Sequence, residues 1–117
     1  MEMWKDIPGG EGFYQASDRG RIRSVDRHVR GKHGLTFYRG RVLKPGRGKY
    51  RVVVLTRGDE RLCEYIHRLV MLTFKGPCPP RLEVCHSDSD RYNCKLDNMR
   101  YDTRSANAQD RIIRNRK

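Results

Sequence analysis

Between Arg19 and Arg57 the chain carries thirteen lysines and arginines and one acid, Asp26, so this stretch alone holds a charge of +12. The net charge of all 117 residues is also +12, and the remaining residues therefore sum to zero. Self-repulsion on that scale weakens any compact fold unless a polyanion neutralises it, which makes nucleic acid the natural partner. A membrane surface fits less well, because no basic amphipathic helix backs onto an apolar stripe. The charge also divides the labour. A basic platform binds, and a part of balanced charge gathers His, Asn and Asp residues for work.

The platform has strand character. Gly12–Ser17 and Gly20–Val25 read as short strands joined by an Asp18-Arg19 turn. Gly40–Leu43 and Tyr50–Thr56 flank KPGRGK, a turn rich in Pro, Gly and charge, and Glu60–Tyr65 follows a further turn. Arg21 and Arg23 flank Ile22, so their guanidinium groups share one strand face. A twisted antiparallel sheet with such a face can lie on phosphates or enter a major groove. Arg19, Arg21, Arg23, Arg27, Arg30, Lys32, Arg39, Arg41, Lys44, Arg47, Lys49 and Arg51 are its candidate contacts to double-stranded DNA. Arg27–Phe37 (RHVRGKHGLTF) reads as a mobile loop that orders on DNA.

Size and cysteine usage narrow the class. The length suits one domain with one modest core, and 36% apolar residues is low for a self-sufficient globule. No apolar run approaches the roughly 18 residues that span a bilayer, and the N-terminus lacks a charged-then-apolar leader. The expectation is an intracellular protein with reduced thiols. Cys63, Cys78, Cys85 and Cys94 form no CxxC pair, which argues against a disulfide framework and a four-cysteine zinc site.

HRLVMLTF (His67–Phe74) suits a short buried helix, ended by Pro77, Pro79 and Pro80. His67 opens it and either supplies a terminal hydrogen bond or touches DNA beside Arg68. After the prolines come a strand (Leu82–Ser87), a polar loop, a second strand (Asn98–Asp102) and a final helix capped by Thr103. That order brings His86, Asn98 and Asn107 toward one point. Phosphodiester hydrolysis needs a base to activate water, and His titrates in the right range. An amide such as that of Asn98 can hold the imidazole in one orientation. Asn107 offers a hard carbonyl oxygen to Mg²⁺ or Mn²⁺, and such an ion can stabilise the leaving oxygen. A polar loop over a small core remains the plainer reading of the same residues.

VCHSDSDRYNCKLDNMRYDTRSANAQD resembles the nuclease core of the HNH endonucleases of the phage and homing subgroup, written xHxDGNxxNNxxxNLxWxTxxxN. His86, Asn98 and Asn107 fall on its H, middle N and last N, at intervals of 12 and 9 residues, and Asn93 sits on or beside its loop Asn. Met99, Tyr101 and Thr103 stand at its L, W and T. Upstream, MWKDIPGGEGFYQASDRGRIRSVDR resembles a nuclease-associated modular domain of the form WKDIPGYEGxYxVSNxGRVxS, and IHRLVMLTF resembles its VHRLVAxAF linker helix. The resemblance implies an α+β chain, with a small N-terminal antiparallel β-sheet followed by a ββα-metal (His-Me finger) core. Residues 1–57 would be the DNA-binding module and 58–117 the nuclease core, with a linker helix at about 66–74. It further implies a Mg²⁺- or Mn²⁺-dependent DNA endonuclease, with His86 as general base, Asn98 as its positioning partner and Asn107 as a metal ligand.

Two departures bear on that expectation. Homing members often place an Asp ligand just before the base, where this chain has Cys85, whose thiol is too soft for Mg²⁺. Asp88 can substitute, with Asp90 the weaker candidate and Cys85 a structural residue; in a third arrangement Asn107 and the DNA phosphates hold the ion almost alone. The chain also stops at Lys117, without the C-terminal helical module of larger relatives, so less DNA surface and lower selectivity are expected. One such site cuts one strand, so a monomer should nick, and a weak dimer or two events would be needed to cut both strands. The alternatives are a catalytically inactive DNA-binding relative and a zinc-stabilised nucleic-acid-binding protein.

Overall fold

The structure is a computed structural model, and it describes residues 1–46, 48–57 and 60–104. Three short strands open the chain: β1 (Trp4–Asp6), β2 (Tyr14–Ser17) and β3 (Ile22–Ser24), paired antiparallel in that order. Tyr14, Ala16 and Ile22 face inward from this sheet, as the period of two requires.

Next comes a two-stranded ribbon of β4 (Arg27–Gly31) and β5 (Gly34–Tyr38), which corrects the expectation of a mobile loop. Gly34, at φ +107°, lets the chain reverse around Lys32 and His33. Val29 pairs with Thr36 and His28 with Phe37, whose rings touch at 5.0 Å. Basic residues interrupt that alternation in the sequence and hide it. The ribbon is largely exposed: Leu35, Phe37 and Tyr38 are all more than half exposed.

The hairpin of β6 (Val52–Arg57) and β7 (Glu60–Tyr65) follows, running straight into helix α1 (Ile66–Lys75). The 57/58 boundary drawn from the sequence thus falls at the turn of this hairpin. The expected strand at Gly40–Leu43 is reduced to a single bridge between Arg23 and Val42. Helix α1 buries Ile66, Leu69 and Val70, spaced three and four residues apart, together with His67 and Met71. It ends where Gly76, at φ +85°, donates its N–H to Leu72 O. Strands β8 (Glu83–His86) and β9 (Met99–Asp102) then pair antiparallel, with a 3₁₀ turn at Leu96–Asn98 leading into β9.

One hydrophobic cluster joins the two halves of the chain. Ile7, Tyr14, Ala16, Ile22 and Val53 pack with Ile66, Leu69, Val70, Met71, Cys94 and Met99. Burial of each large aliphatic side chain contributes roughly 1.5–3 kcal/mol. Polar ties reinforce the junction. Tyr14 O–H donates to Thr56 O at 3.1 Å and Thr56 N–H donates back to its oxygen at 2.8 Å, while Leu96 N–H donates to Asp18 O at 2.8 Å. Gly20, at φ +83°, lies so close to Cys94 that a Cβ would sit 2.6 Å from its carbonyl. The basic module and the polar loop are therefore held against each other.

Candidate nuclease site and nucleic-acid interface

His86 closes β8, opposite Met99 on β9, with 5% of its surface exposed. Its neighbour Cys85 points the other way, as alternation demands, and is fully buried. The polar loop leaves His86 through a left-handed Ser89, φ +62°, whose N–H donates to His86 O at 2.9 Å.

Asp88 and Asn98 clasp this loop. Asn98 Nδ2 donates to Asp88 Oδ1 at 3.0 Å and to Asn93 O at 2.9 Å, and Asn98 Oδ1 accepts the Asp88 N–H at 3.1 Å. Asp88 Oδ1 also accepts the Asp90 N–H at 2.8 Å, and Oδ2 accepts Asn93 Nδ2 at 2.8 Å. Burial pushes the Asp88 carboxyl up, but the bonds from Asn93, Asp90 and Asn98 outweigh it and hold the group below its ordinary value. The Asn98 amide thus braces the loop rather than the imidazole. Its backbone does lie close to His86, because Asn98 O accepts the Ser87 N–H at 2.7 Å beside the His86–Met99 pair.

Rings surround His86. His67, from the first turn of α1, meets it edge to face at 5.4 Å and 73°, and Tyr50 lies 6.5 Å away with its plane 30° off parallel. Tyr65 stacks on the far side of the cluster, 5.3 Å from His67. A cleft of about 460 Å³ opens beside these rings, lined by Tyr50, Tyr65, His67, Arg68 and Tyr101 among others. Burial lowers the His67 imidazole from 6.5 to about 4, with His86 and Arg68 adding to the effect. His86 is lowered too, chiefly by burial and also by Arg91, while Asp88 and Asp90 pull it back up. Both imidazoles are therefore neutral at pH 7.

Sequence reasoning missed the aromatic frame of Tyr50, Tyr65 and Tyr92. Tyr92 O–H donates to Gly48 O, the Gly48 N–H donates to the Tyr92 oxygen at 3.2 Å, and Arg51 lies over its ring at 5.2 Å. Arg91 sits 5.6 Å over Tyr50. The basic turn before β6 is thereby tied to the polar loop. Tyrosines placed beside arginines in both segments were the available signal.

The candidate DNA contacts divide. Arg21 is paired with Glu2, and Arg23 donates to Gln15 Oε1 at 2.9 and 2.7 Å while lying 4.1 Å over the Trp4 ring. Arg27 packs over Phe13 at 5.3 Å. Arg19, Arg30, Lys32, Arg39, Arg41, Lys44 and Lys49 are exposed, as is Arg68, which lies 5.0 Å over Tyr65. His67 is 6% exposed and faces the site rather than solvent. Arg47 and Asn107 lie outside the described residues, as does the helix expected after Thr103.

The donors available to a metal ion are few. Among the described residues no group of three His, Cys, Asp or Glu side chains could hold one. Asp88 Oδ2 is a hard donor carrying one hydrogen bond from Asn93, so it can accept a divalent cation as part of a set. The fully buried Cys85 sulfur offers nothing comparable. The four cysteines all lie among the described residues, and no disulfide links them. Cys63 and Cys78 are exposed, whereas Cys94 is buried, its thiol pushed by burial to about 11.

Comparison with known proteins finds matches in both halves. Residues 2–56 match the NUMOD4 motif and residues 64–109 match the HNH endonuclease model. The chain is 32% identical over 111 residues to DNA endonuclease I-HmuI of Bacillus phage SP01, covering 95% of this chain and 58% of that protein. It also superposes on a solved structure of DNA binding and cleavage by the HNH homing endonuclease I-HmuI. That match has a TM-score of 0.74 and 31% identity, over 97% of this chain and 59% of the other. The chain thus spans less than two thirds of the relative's length. No helix among the described residues is long and apolar enough to cross a membrane. In both halves the chain is thus similar to the HNH endonucleases, with a NUMOD4 motif ahead of the segment that matches their nuclease model.

Proposed function

We propose that this protein is a divalent-metal-dependent DNA endonuclease that acts as a monomer and nicks one strand of duplex DNA. The observation that carries the reading is the placement of His86. It ends a strand beside the clasped Asp88–Asn98 loop, in the family's order, and that loop is joined through Tyr92 and Gly48 to the basic module. Residues 1–57 bind DNA and residues 58–117 cut it. The exposed cations, foremost Arg30, Lys32 and Arg39 on and beside the ribbon, neutralise phosphates, and a two-stranded ribbon of this kind can enter a major groove. Arg21, Arg23 and Arg27 instead stiffen the sheet through their partners.

His86 is the general base. Its Nε2 is enclosed, so Nδ1 is the nitrogen that takes a proton from the attacking water. A neutral imidazole is needed for that step, and burial supplies it. Asn98 acts by shaping the loop, and Asp88 with Asn107 and the DNA phosphates supplies oxygen donors to Mg²⁺ or Mn²⁺. When bound, that ion neutralises the phosphate and the departing oxygen. Cys85 is a packing residue. The protein would work in the cytoplasm of a host cell, as suits a relative of a phage enzyme.

Supercoiled plasmid incubated with the purified chain and Mg²⁺ or Mn²⁺ should become open circle before any linear form appears. A second reading, a DNA-binding protein that does not cut, draws on the burial of Cys85 beside the base. It predicts gel-shift binding with plasmid left supercoiled in every divalent ion.

A further inference from the structure

With its amide committed to Asp88 and Asn93, Asn98 does not hold the His86 imidazole. Two other observations converge on a different residue. His86 Nε2 and His67 Nδ1 are both enclosed, and neither has a hydrogen-bond partner among the described residues. Their rings are neighbours, with centres 5.4 Å apart and planes at 73°. An imidazole nitrogen lies about 1.1 Å from its ring centre, so two rings joined by an N–H···N bond of about 3 Å have centres about 5 Å apart. The observed spacing of 5.4 Å is close to that value.

Chemistry favours such a bond. A neutral imidazole offers one donor and one acceptor. If Nδ1 of His86 is the base, the ring's proton sits on Nε2, and an enclosed N–H left unbonded costs about 1–3 kcal/mol. His67 Nδ1 is enclosed in the adjoining ring, and in the tautomer protonated at Nε2 it can accept that bond. Its own plane is fixed by Tyr50 at 5.0 Å and Tyr65 at 5.3 Å, and its backbone by the first turn of α1.

We infer that His67 is a positioning residue whose Nδ1 accepts the Nε2–H of His86, fixing the tautomer that leaves Nδ1 of His86 as the base. This rests on the reading of His86 as the base. It assigns His67 a role other than DNA contact, in keeping with its 6% exposure.

The test pairs His67→Leu, which removes the acceptor, with His67→Asn, whose Oδ1 can replace Nδ1. Single-turnover nicking by His67→Leu should slow about 10- to 100-fold while the DNA dissociation constant stays within about twofold, and His67→Asn should regain most of the rate. Imidazole ¹⁵N spectra of the wild-type chain without metal or DNA should show the His86 proton on Nε2, and His67→Leu should shift it toward Nδ1. The inference is overturned by an unchanged rate in His67→Leu, by a loss of affinity equal to the loss of rate, or by a wild-type proton on Nδ1. Should His67→Leu not fold, the wild-type spectrum and His67→Asn still decide. A wild-type protein that never nicks counts against the endonuclease reading, whereas the tautomer tests His67 without cleavage.

Discussion

Lowering the pH should destabilise the fold through His67 before the carboxylates that brace it begin to titrate. The folded protein holds this imidazole at about 4, against 6.5 when exposed. Between those values the unfolded chain binds the proton and the native one does not, so stability rises with pH across the window. The contribution is fully present above pH 6.5 and is lost as pH falls toward 4. A tenfold difference in proton affinity between the two states corresponds to about 1.4 kcal/mol, which gives about 2 kcal/mol lost between pH 7 and 5 and about 3 kcal/mol by pH 4. Against a typical total of about 5–15 kcal/mol, that is a large fraction. Urea unfolding followed by tryptophan fluorescence should show the midpoint falling by about 1 M from pH 7 to 5. In His67→Leu most of that fall should vanish, with a remainder left from His86, whose value is lowered in the same direction. Equal pH slopes in wild type and variant would refute the reasoning, because the proton would then not be linked to His67.

Other consequences follow from the same geometry. If the exposed cations neutralise about 6–10 phosphates, log affinity should fall against log salt with a slope of about −5 to −9, and Arg30→Ser with Lys32→Ser should flatten it by about 2. A shallow wild-type slope would remove the platform as the contact surface. Asp88→Ala takes away the acceptor for Asn93, Asn98 and the Asp90 N–H. It should cost about 1 kcal/mol in a thermal melt and slow nicking at least tenfold without weakening DNA binding; unchanged melting would mean that the clasp does not form. Gly20→Ala must fit a Cβ 2.6 Å from the Cys94 carbonyl at a positive φ, so a loss of about 3 kcal/mol or more is expected, and a wild-type melting temperature would contradict the close approach.

Much of this architecture was legible in the sequence because short runs between Gly and Pro turns set the strands and a spaced apolar stripe set the helix. Glu60–Tyr65 matches the observed β7, and the helix read at His67–Phe74 extends by one residue at each end. The ribbon escaped because cations break up its alternation, and because no apolar face announces a strand pair whose side chains are almost all exposed. The first strand, Trp4–Asp6, escaped for a different reason. Three residues carry too little pattern, and pairing with Tyr14–Ser17 decides their conformation. In the site, residue types and spacing pointed to His86 and Asn98, while the partner of each side chain depended on loop geometry. Only coordinates show that the Asn98 amide turns to Asp88, or that His67, nineteen positions upstream of His86, meets it across the interior.

The most direct measurement is metal-dependent nicking by wild type against His86→Ala, with DNA binding followed in the same samples. Wild type should convert supercoiled plasmid to open circle only with a divalent ion. His86→Ala should bind with the same affinity and nick at least about 100-fold more slowly, the share expected of a general base. Equal nicking by the two proteins would contradict the assignment of His86 as the base.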